Sequence, residues 1–479
     1  MLDRRSLLRN VAAAVAGTSL SRFGGVTQGV AGESRKPNVL FIAIDDLNDY
    51  LRLLRGYPGL KTPNIDRFAR TAMTFTRAYC AAPICNPSRT AILTGIAPSH
   101  SGVYENGDAW RRSTPAMRAV TLPEHFKTHG YTTMWSGKIF HTRPGPRRME
   151  AMFDDARNKD GGYLPNPKVK VIPESIKRPK LFNYEAWTGP DDDFADVRNA
   201  DVTVERLGQR HDKPFFLAHG IYRPHNPWTA PKRFFDMYPL DEIRMPPVLE
   251  NDWDDLGPQA RERAAYPVLF DQIKRTGHWR PLVRAYLACI SFMDETLGKI
   301  LDALDRGPNK DDTIVCIWAD HGFHMGEKKH FAKYALWELT THTALWFRVP
   351  GMTEAGTRCG RTVNLLDLYP TLVDLCGLGD LDGQLDGVSL RPLLENPNAR
   401  WDRPSVTTHR QGCHAVRDER WRYIRYVDGT EELYDHETDA NEWHNLALEP
   451  EYADVIKHLS RWLPTSNVPP VGKGPPPRR

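Results

Sequence analysis

The stretch Asn38-Val39-Leu40-Phe41-Ile42-Ala43-Ile44-Asp45-Asp46 decides the fold of this 479-residue chain. Its apolar run shows no polar alternation, the pattern of a strand buried on both faces of a parallel sheet. It ends in two adjacent carboxylates, Asp45 and Asp46, which repel one another unless a cation sits between them. The same design returns in Thr313-Ile314-Val315-Cys316-Ile317-Trp318-Ala319-Asp320-His321-Gly322. Further strands are expected over 131–136, 213–219 and 345–349, with helices over 196–210 and 284–304. Strands alternating with helices imply an α/β fold with a doubly wound sheet. Ligands of such sheets bind beyond the carboxyl ends of the strands. Asp45, Asp46, Lys138, His225, Asp320 and His321 all fall at such ends, and Lys138 is followed three residues later by His141.

Composition bounds the function. A net charge of +4, with 40% hydrophobic and 26% charged residues, describes a globular protein without a strong overall field. Nucleic-acid binding has no recognition motif to support it. The length suits a large domain with a smaller one attached. From Pro404 the texture changes to short strands with a hairpin turn at Asp428-Gly429 and a helix over 451–463, an antiparallel sheet with a helix on it. The tail, 467–479, is rich in Pro, Gly and basic residues and is expected to be disordered. At the other end, Asp3-Arg4-Arg5-Ser6-Leu7-Leu8 precedes a short apolar stretch and small residues up to Ala31. That pattern matches a twin-arginine export signal over 1–31, which places the mature protein in the periplasm or outside the cell. No other stretch approaches the roughly 18 apolar residues that span a bilayer.

Seven cysteines show no C-x-x-C spacing, which argues against a zinc ribbon. Cys289 and Cys316 read as core residues, and Cys359 and Cys376 are candidates for a bridge. Cys85 is different. In Cys85-Asn86-Pro87-Ser88-Arg89-Thr90-Ala91-Ile92-Leu93-Thr94-Gly95 it precedes an expected helix start, with Pro87 at the first helical position, Asn86 or Ser88 as cap and Gly95 as stop. The first turn of that helix aims N–H groups and partial positive charge at an anion near Cys85, and Arg89 reaches the same place.

This segment resembles the signature of the formylglycine-dependent sulfatases, C-x-P-S-R-x-x-x-L-T-G, at every fixed position. Gly137-Lys138-Ile139-Phe140-His141, Arg223-Pro224-His225, Asp320-His321-Gly322, Phe331-Ala332-Lys333-Tyr334 and Glu432-Leu433-Tyr434-Asp435 resemble active-site and C-terminal segments of the iduronate-2-sulfatase-like branch. The resemblance implies an alkaline-phosphatase-like fold, with a catalytic domain over 32–398 and a C-terminal subdomain over 399–466. It also implies that a maturation enzyme oxidises Cys85 to formylglycine. Asp45, Asp46, Asp320, His321 and residue 85 then form an oxygen-rich site that favours calcium, although imidazole is more at home on zinc or manganese. Arg89, Lys138 and Lys333 neutralise sulfate charge, His225 is the first choice of proton donor with Lys333 second, and His141 is the base that expels sulfate.

The implied substrate is a sulfated oligosaccharide: first a sulfated uronate at the end of a glycosaminoglycan chain, second an algal polysaccharide. The basic, Pro- and Gly-rich stretch 143–180 matches no expected segment and reads either as a substrate-contacting insertion or as a solvated flap. Competing readings are a phosphate or phosphonate monoester hydrolase with a similar metal cage, and a silent glycan-binding protein that leaves Cys85 unconverted.

Overall fold

Strand β1 (Asn38–Asp45) is buried along its whole length and lies inside a seven-stranded sheet, as its apolar run requires. The computed structural model describes residues 36–143, 145–158, 165–264, 269–379, 381 and 383–473. The export signal expected over 1–31 lies outside them. The other strands of the large sheet are β2 (Met73–Tyr79), β3 (Thr132–Gly137), β4 (Phe215–Pro224), β5 (Thr313–Ala319), β6 (His342–Arg348) and β7 (Arg358–Asn364). Their order is β7-β2-β6-β5-β1-β4-β3. β1 runs parallel to β4 and β5, β3 parallel to β4, and β7 parallel to β2, whereas β6 is antiparallel to both its neighbours. The sheet is therefore mixed, with one reversed strand.

Helices cover both faces. One core gathers Ile42, Leu217 and Ile317 from one face of the sheet with Leu287 and Ile290 of the helix Trp279–Arg306. The opposite core gathers Val39, Phe41, Phe216 and Trp318 with Ile92 and Leu93 of helix α1 (Cys85–Thr94). Period-2 alternation of the strand residues between two apolar faces is what a doubly covered sheet needs.

A four-stranded antiparallel sheet follows: β8 (Ser405–Thr408), β9 (His414–Arg417), β10 (Trp421–Arg425) and β11 (Glu431–Asp435), with the helix Ala453–Ser460 packed on it. It continues from the edge of the large sheet, because Thr408 N donates to Ala81 O and the Asn364 amide donates to Val406 O. From Lys36 onward the chain forms one compact unit. Two expectations are corrected here. Residues 468–473 are ordered, running beside 99–109 through Val468 N to Ser99 O, Val471 N to Gly102 O and Ala109 N to Gly472 O. The backbone donors and acceptors of that stretch find partners, which offsets the cost of ordering it. All seven cysteines are free thiols, so Cys359 and Cys376 are not bridged. Among the described residues no helix is long and apolar enough to cross a membrane.

The close pairing at the end of β3 and β4 sets the position of Lys138. Lys138 N donates to Gly220 O, and a Cβ on Gly220 would lie 1.9 Å from Lys138 O. Only glycine allows this approach of backbone to backbone. Gly220→Ala is expected to cost about 3 kcal/mol or more through overpacking. Thermal unfolding should show the loss, and an unchanged melting temperature would mean the two strands separate freely.

Candidate active site

Four strand ends and one helix start deliver most of the predicted residues to one place. Asp45 and Asp46 follow β1, Lys138 follows β3, His225 follows β4, and Asp320 and His321 follow β5. Cys85 is the first residue of α1, whose N-cap is Ile84 with no side-chain capping bond. The expected caps are used elsewhere. The Asn86 amide donates to Glu105 O and Asp108 O, and the Ser88 hydroxyl donates to Asp320 O at 2.6 Å. Gly95 ends the helix in the left-handed conformation, φ 72°, as expected.

Arg89 holds the centre together. Its Nε donates to Asp320 Oδ2 at 2.7 Å, Nη2 to Asp45 Oδ1 at 3.2 Å, and Nη1 to the carbonyls of Lys138 and Ile139. The planar fork fits two carboxylates and two carbonyls at once, which a lysine could not do. Lys138 Nζ pairs with Asp45 Oδ2. Lys333 Nζ lies 2.6 Å from Asp46 Oδ1 and 3.0 Å from Cys85 Sγ. His321 Nε2 lies 3.2 Å from Cys85 Sγ and 3.3 Å from Asp46 Oδ1. His225 Nε2 lies 3.7 Å from Asp46 Oδ2. Every member of this cluster is buried, Cys85 completely.

The charges are unequal in consequence. Burial alone disfavours an ionised Asp45, yet Lys138, His225, Arg89 and Lys333 hold its carboxyl well below the ordinary value. Asp46 is pushed up by burial, with Lys333 opposing and Asp45 reinforcing the rise. Burial works against the Lys333 cation, but Asp46, Cys85 and Asp45 outweigh it and keep the ammonium charged. Burial followed by Lys333 depresses His225 well below its ordinary value, and burial with Lys138 and Lys333 takes His141 down to about 3.

The donors suit a divalent cation. One ligand atom from each of Asp45, Asp46, Cys85 and His225, and one from each of Asp45, Cys85, Asp320 and His321, fall within 4.8 Å of one another. Asp46 Oδ2 is buried without a hydrogen-bond partner. His321 Nδ1 faces Gly322 O at 2.9 Å, which fixes the tautomer and leaves Nε2 as the free lone pair. Three carboxylates make the set hard and anionic.

A cavity of about 330 Å³ opens beside the cluster and is lined by His141, His225, Lys333 and Tyr334, with Arg178 from the chain's basic stretch and Phe182 just after it. Another of about 320 Å³, near Trp401 and Trp462, contains none of the predicted residues. Arg178 escaped the sequence reading, and Tyr334 entered it only as the neighbour of Lys333. Both adopt left-handed backbone, φ 80° and 57°, which no residue pattern announces.

Comparison with known proteins agrees with this geometry. The family model described as sulfatase matches residues 37–378, and that of the N-sulphoglucosamine sulphohydrolase C-terminal region matches 326–468. The chain belongs to the sulfatase family. A sulfatase from Formosa agariphila is 36% identical over 92% of this chain and 88% of its own length. Human iduronate 2-sulfatase is 30% identical over 71% of this chain and 69% of its own. Among solved structures, one described in complex with its substrate D-glucosamine-2-N,6-O-disulfate superposes with TM-score 0.70 at 21% identity, covering 89% of this chain and 96% of that one. The phosphonate monoester hydrolase from Silicibacter pomeroyi superposes with TM-score 0.74 at 21% identity, covering 89% and 94%. These two show the shared fold, that of the alkaline-phosphatase-like sulfatases. As a sulfatase, the protein is a sulfuric ester hydrolase.

Removing Arg89 leaves Asp45 and Asp320 without their shared cation in a buried site. Arg89→Met is expected to destabilise the fold by about 3–5 kcal/mol. Chemical denaturation measures this, and a loss below about 1 kcal/mol would show the two carboxylates to be otherwise compensated.

Proposed function

We propose that this sulfatase hydrolyses sulfate esters of a sulfated carbohydrate, using formylglycine made from Cys85 and one calcium ion held by Asp45, Asp46, Asp320, His321 and residue 85. The observation that carries the reading is the meeting of Cys85 with three carboxylates and three cationic side chains, one of which, Lys333, lines the neighbouring cavity. A hydrated formylglycine supplies a hydroxyl nucleophile, and a divalent ion draws charge from the sulfate oxygens.

The chain's own residues do the rest. Arg89 fixes Asp45 and Asp320 in one orientation. Lys138 and Lys333 place ammonium groups where negative charge shifts in the transition state, in a site shielded from water. His225 turns Nδ1 to Asn226 O, so Nε2 faces the cluster. Without substrate, burial and Lys333 keep that imidazole neutral. An anionic substrate opposes the shift, so His225 gains a proton on binding and passes it to the departing alcohol. Lys333, already charged, is the second candidate. His141 keeps a ring nitrogen without a partner and serves as the base that releases sulfate.

A sulfated uronate of a glycosaminoglycan remains the first substrate, in keeping with the likeness to iduronate 2-sulfatase, and an algal polysaccharide the second. The export signal over 1–31 would deliver the enzyme to such polymers, after a maturation enzyme has acted on Cys85. The phosphonate hydrolase neighbour keeps one rival open. A panel of sulfate, phosphate and phosphonate monoesters tests the reading: sulfate esters should be cleaved fastest, and a preference for phosphonates would overturn it.

Two further outcomes are expected. The tryptic peptide 78–89 should carry an aldehyde in place of the Cys85 thiol, and dialysis against a chelator should abolish turnover and lower the melting temperature, with calcium restoring both. A thiol in fully active enzyme, or activity indifferent to chelation, contradicts the mechanism. His225→Ala should slow esters of poorly leaving alcohols by about 10²–10⁴ and activated aryl sulfates far less. Equal slowing of both classes removes His225 as the acid.

A further inference from the structure

The stretch 143–180 ends as part of the wall of the active-site cavity. Ile172, Ile176 and Phe182 are buried in the main core, and the Phe182 ring lies 5.7 Å from Phe331 and 6.1 Å from Trp228. Phe331 stands two residues before Lys333, so this segment is anchored to the element that presents the catalytic lysine. At the anchored end the chain makes a tight turn, with Leu181 N donating to Arg178 O at 3.0 Å. Arg178 occupies the left-handed region there, φ 57°, a conformation that costs about 1 kcal/mol or more and gathers at ligand sites. The turn puts Arg178 and Leu181 on the cavity wall.

Tyr334 lines the same cavity, also with left-handed backbone. The remaining charged group of the wall, Glu105, is paired with Arg410 Nε at 2.5 Å. The other titratable groups facing the space are His141, His225 and Lys333. Arg178 thus adds a second positive centre to that of Lys333, in a cavity of about 330 Å³. Small-molecule sites occupy roughly 300–1,000 Å³. The space accommodates more than the ester group under attack.

We propose that Arg178 and Tyr334 form a second anion subsite, which selects substrates carrying another acidic group, a carboxylate or a second sulfate, beside the ester that is cleaved. The inference deepens the proposed function and rests on it. A guanidinium fork matches either oxyanion through paired N–H bonds, and a phenol adds one more donor. The two candidates for the acidic group share this chemistry and differ only in the substrate that brings it.

The test compares calcium-loaded enzyme and its Arg178→Gln, Arg178→Lys and Tyr334→Phe variants on four esters. These are para-nitrophenyl sulfate, a uronate-2-sulfate disaccharide, its carboxyl-reduced analogue, and a disulfated glucosamine. The ratio of kcat/KM on the acidic sugars to that on para-nitrophenyl sulfate should fall by about tenfold or more in Arg178→Gln, chiefly through KM. Arg178→Lys should recover part of it, and Tyr334→Phe should lose less. A fall with the uronate that disappears for its reduced analogue assigns the carboxylate, and a fall with the disulfated glucosamine assigns the second sulfate. An unchanged ratio, or equal losses on every ester, overturns the subsite. If the parent enzyme releases no sulfate from any ester, the hydrolytic mechanism fails instead. The subsite is then read by binding of the intact disaccharide: Cys85→Ala should bind it about tenfold or more tighter than Cys85→Ala with Arg178→Gln. Equal affinities overturn the proposal.

Discussion

A single guanidinium, that of Arg89, ties the ends of two parallel strands to a helix. Asp45 closes β1 and Asp320 follows β5, and neither carboxylate has access to water. Burying such charges carries a penalty of several kcal/mol per ion, which is met only when geometry and hydrogen bonding are complete. Arg89 completes them, donating to the carboxylates at the strand ends on one edge and to the carbonyls after β3 on the other. Ser88 donates to the backbone at Asp320 from the same turn of helix. The residues of the Cys85 motif therefore have mechanical duties beside the chemical ones proposed for them. Cys85 is placed because its two helical neighbours, Ser88 and Arg89, are bolted to the sheet.

The small sheet belongs to the same construction. Arg422 of β10 donates to Leu336 O, and Trp337 Nε1 donates to Glu432 of β11. Lys328 pairs with Asp252 at 2.7 Å and also donates to Glu442 O. These bonds bracket the segment that carries Lys333, in which Lys328, Lys329, Ala332 and Tyr334 all hold left-handed backbone. Strain of this kind persists only where the surroundings over-determine it. The cluster of Glu338, His436 and Glu442 has a metal-like spacing, but Arg417 and Arg422 already occupy its carboxylates. Its role is to hold the two sheets together.

Much of this was legible in the residues. Continuous apolar runs ending in Asp45-Asp46 and Asp320-His321 announced buried parallel strands; the structure has those strands and brings the four end residues together. β2 and β7 went unread because they lie towards an edge of the sheet and carry Thr74, Thr76, Arg77, Arg358 and Arg361 in place of a clean apolar run. The reversal of β6 is a property of strand order, which local pattern does not encode. Arg178, and the part Tyr334 plays in the cavity wall, were hidden for another reason. Their positions follow from backbone dihedrals stabilised by distant packing, and composition offers no sign of those. The tail misled through its prolines, since irregular composition does not prevent backbone pairing along an existing loop.

The complete enclosure of Cys85 has a consequence for the order of events in the cell. If Cys85 is converted as proposed, the enzyme that oxidises it needs a flexible substrate, because after folding the sulfur lies beneath Lys333 and His321 with no surface of its own. Conversion and collapse of the chain would therefore compete in time. Any change that speeds folding, including a stabilising one, would risk leaving more molecules sealed with an inert thiol.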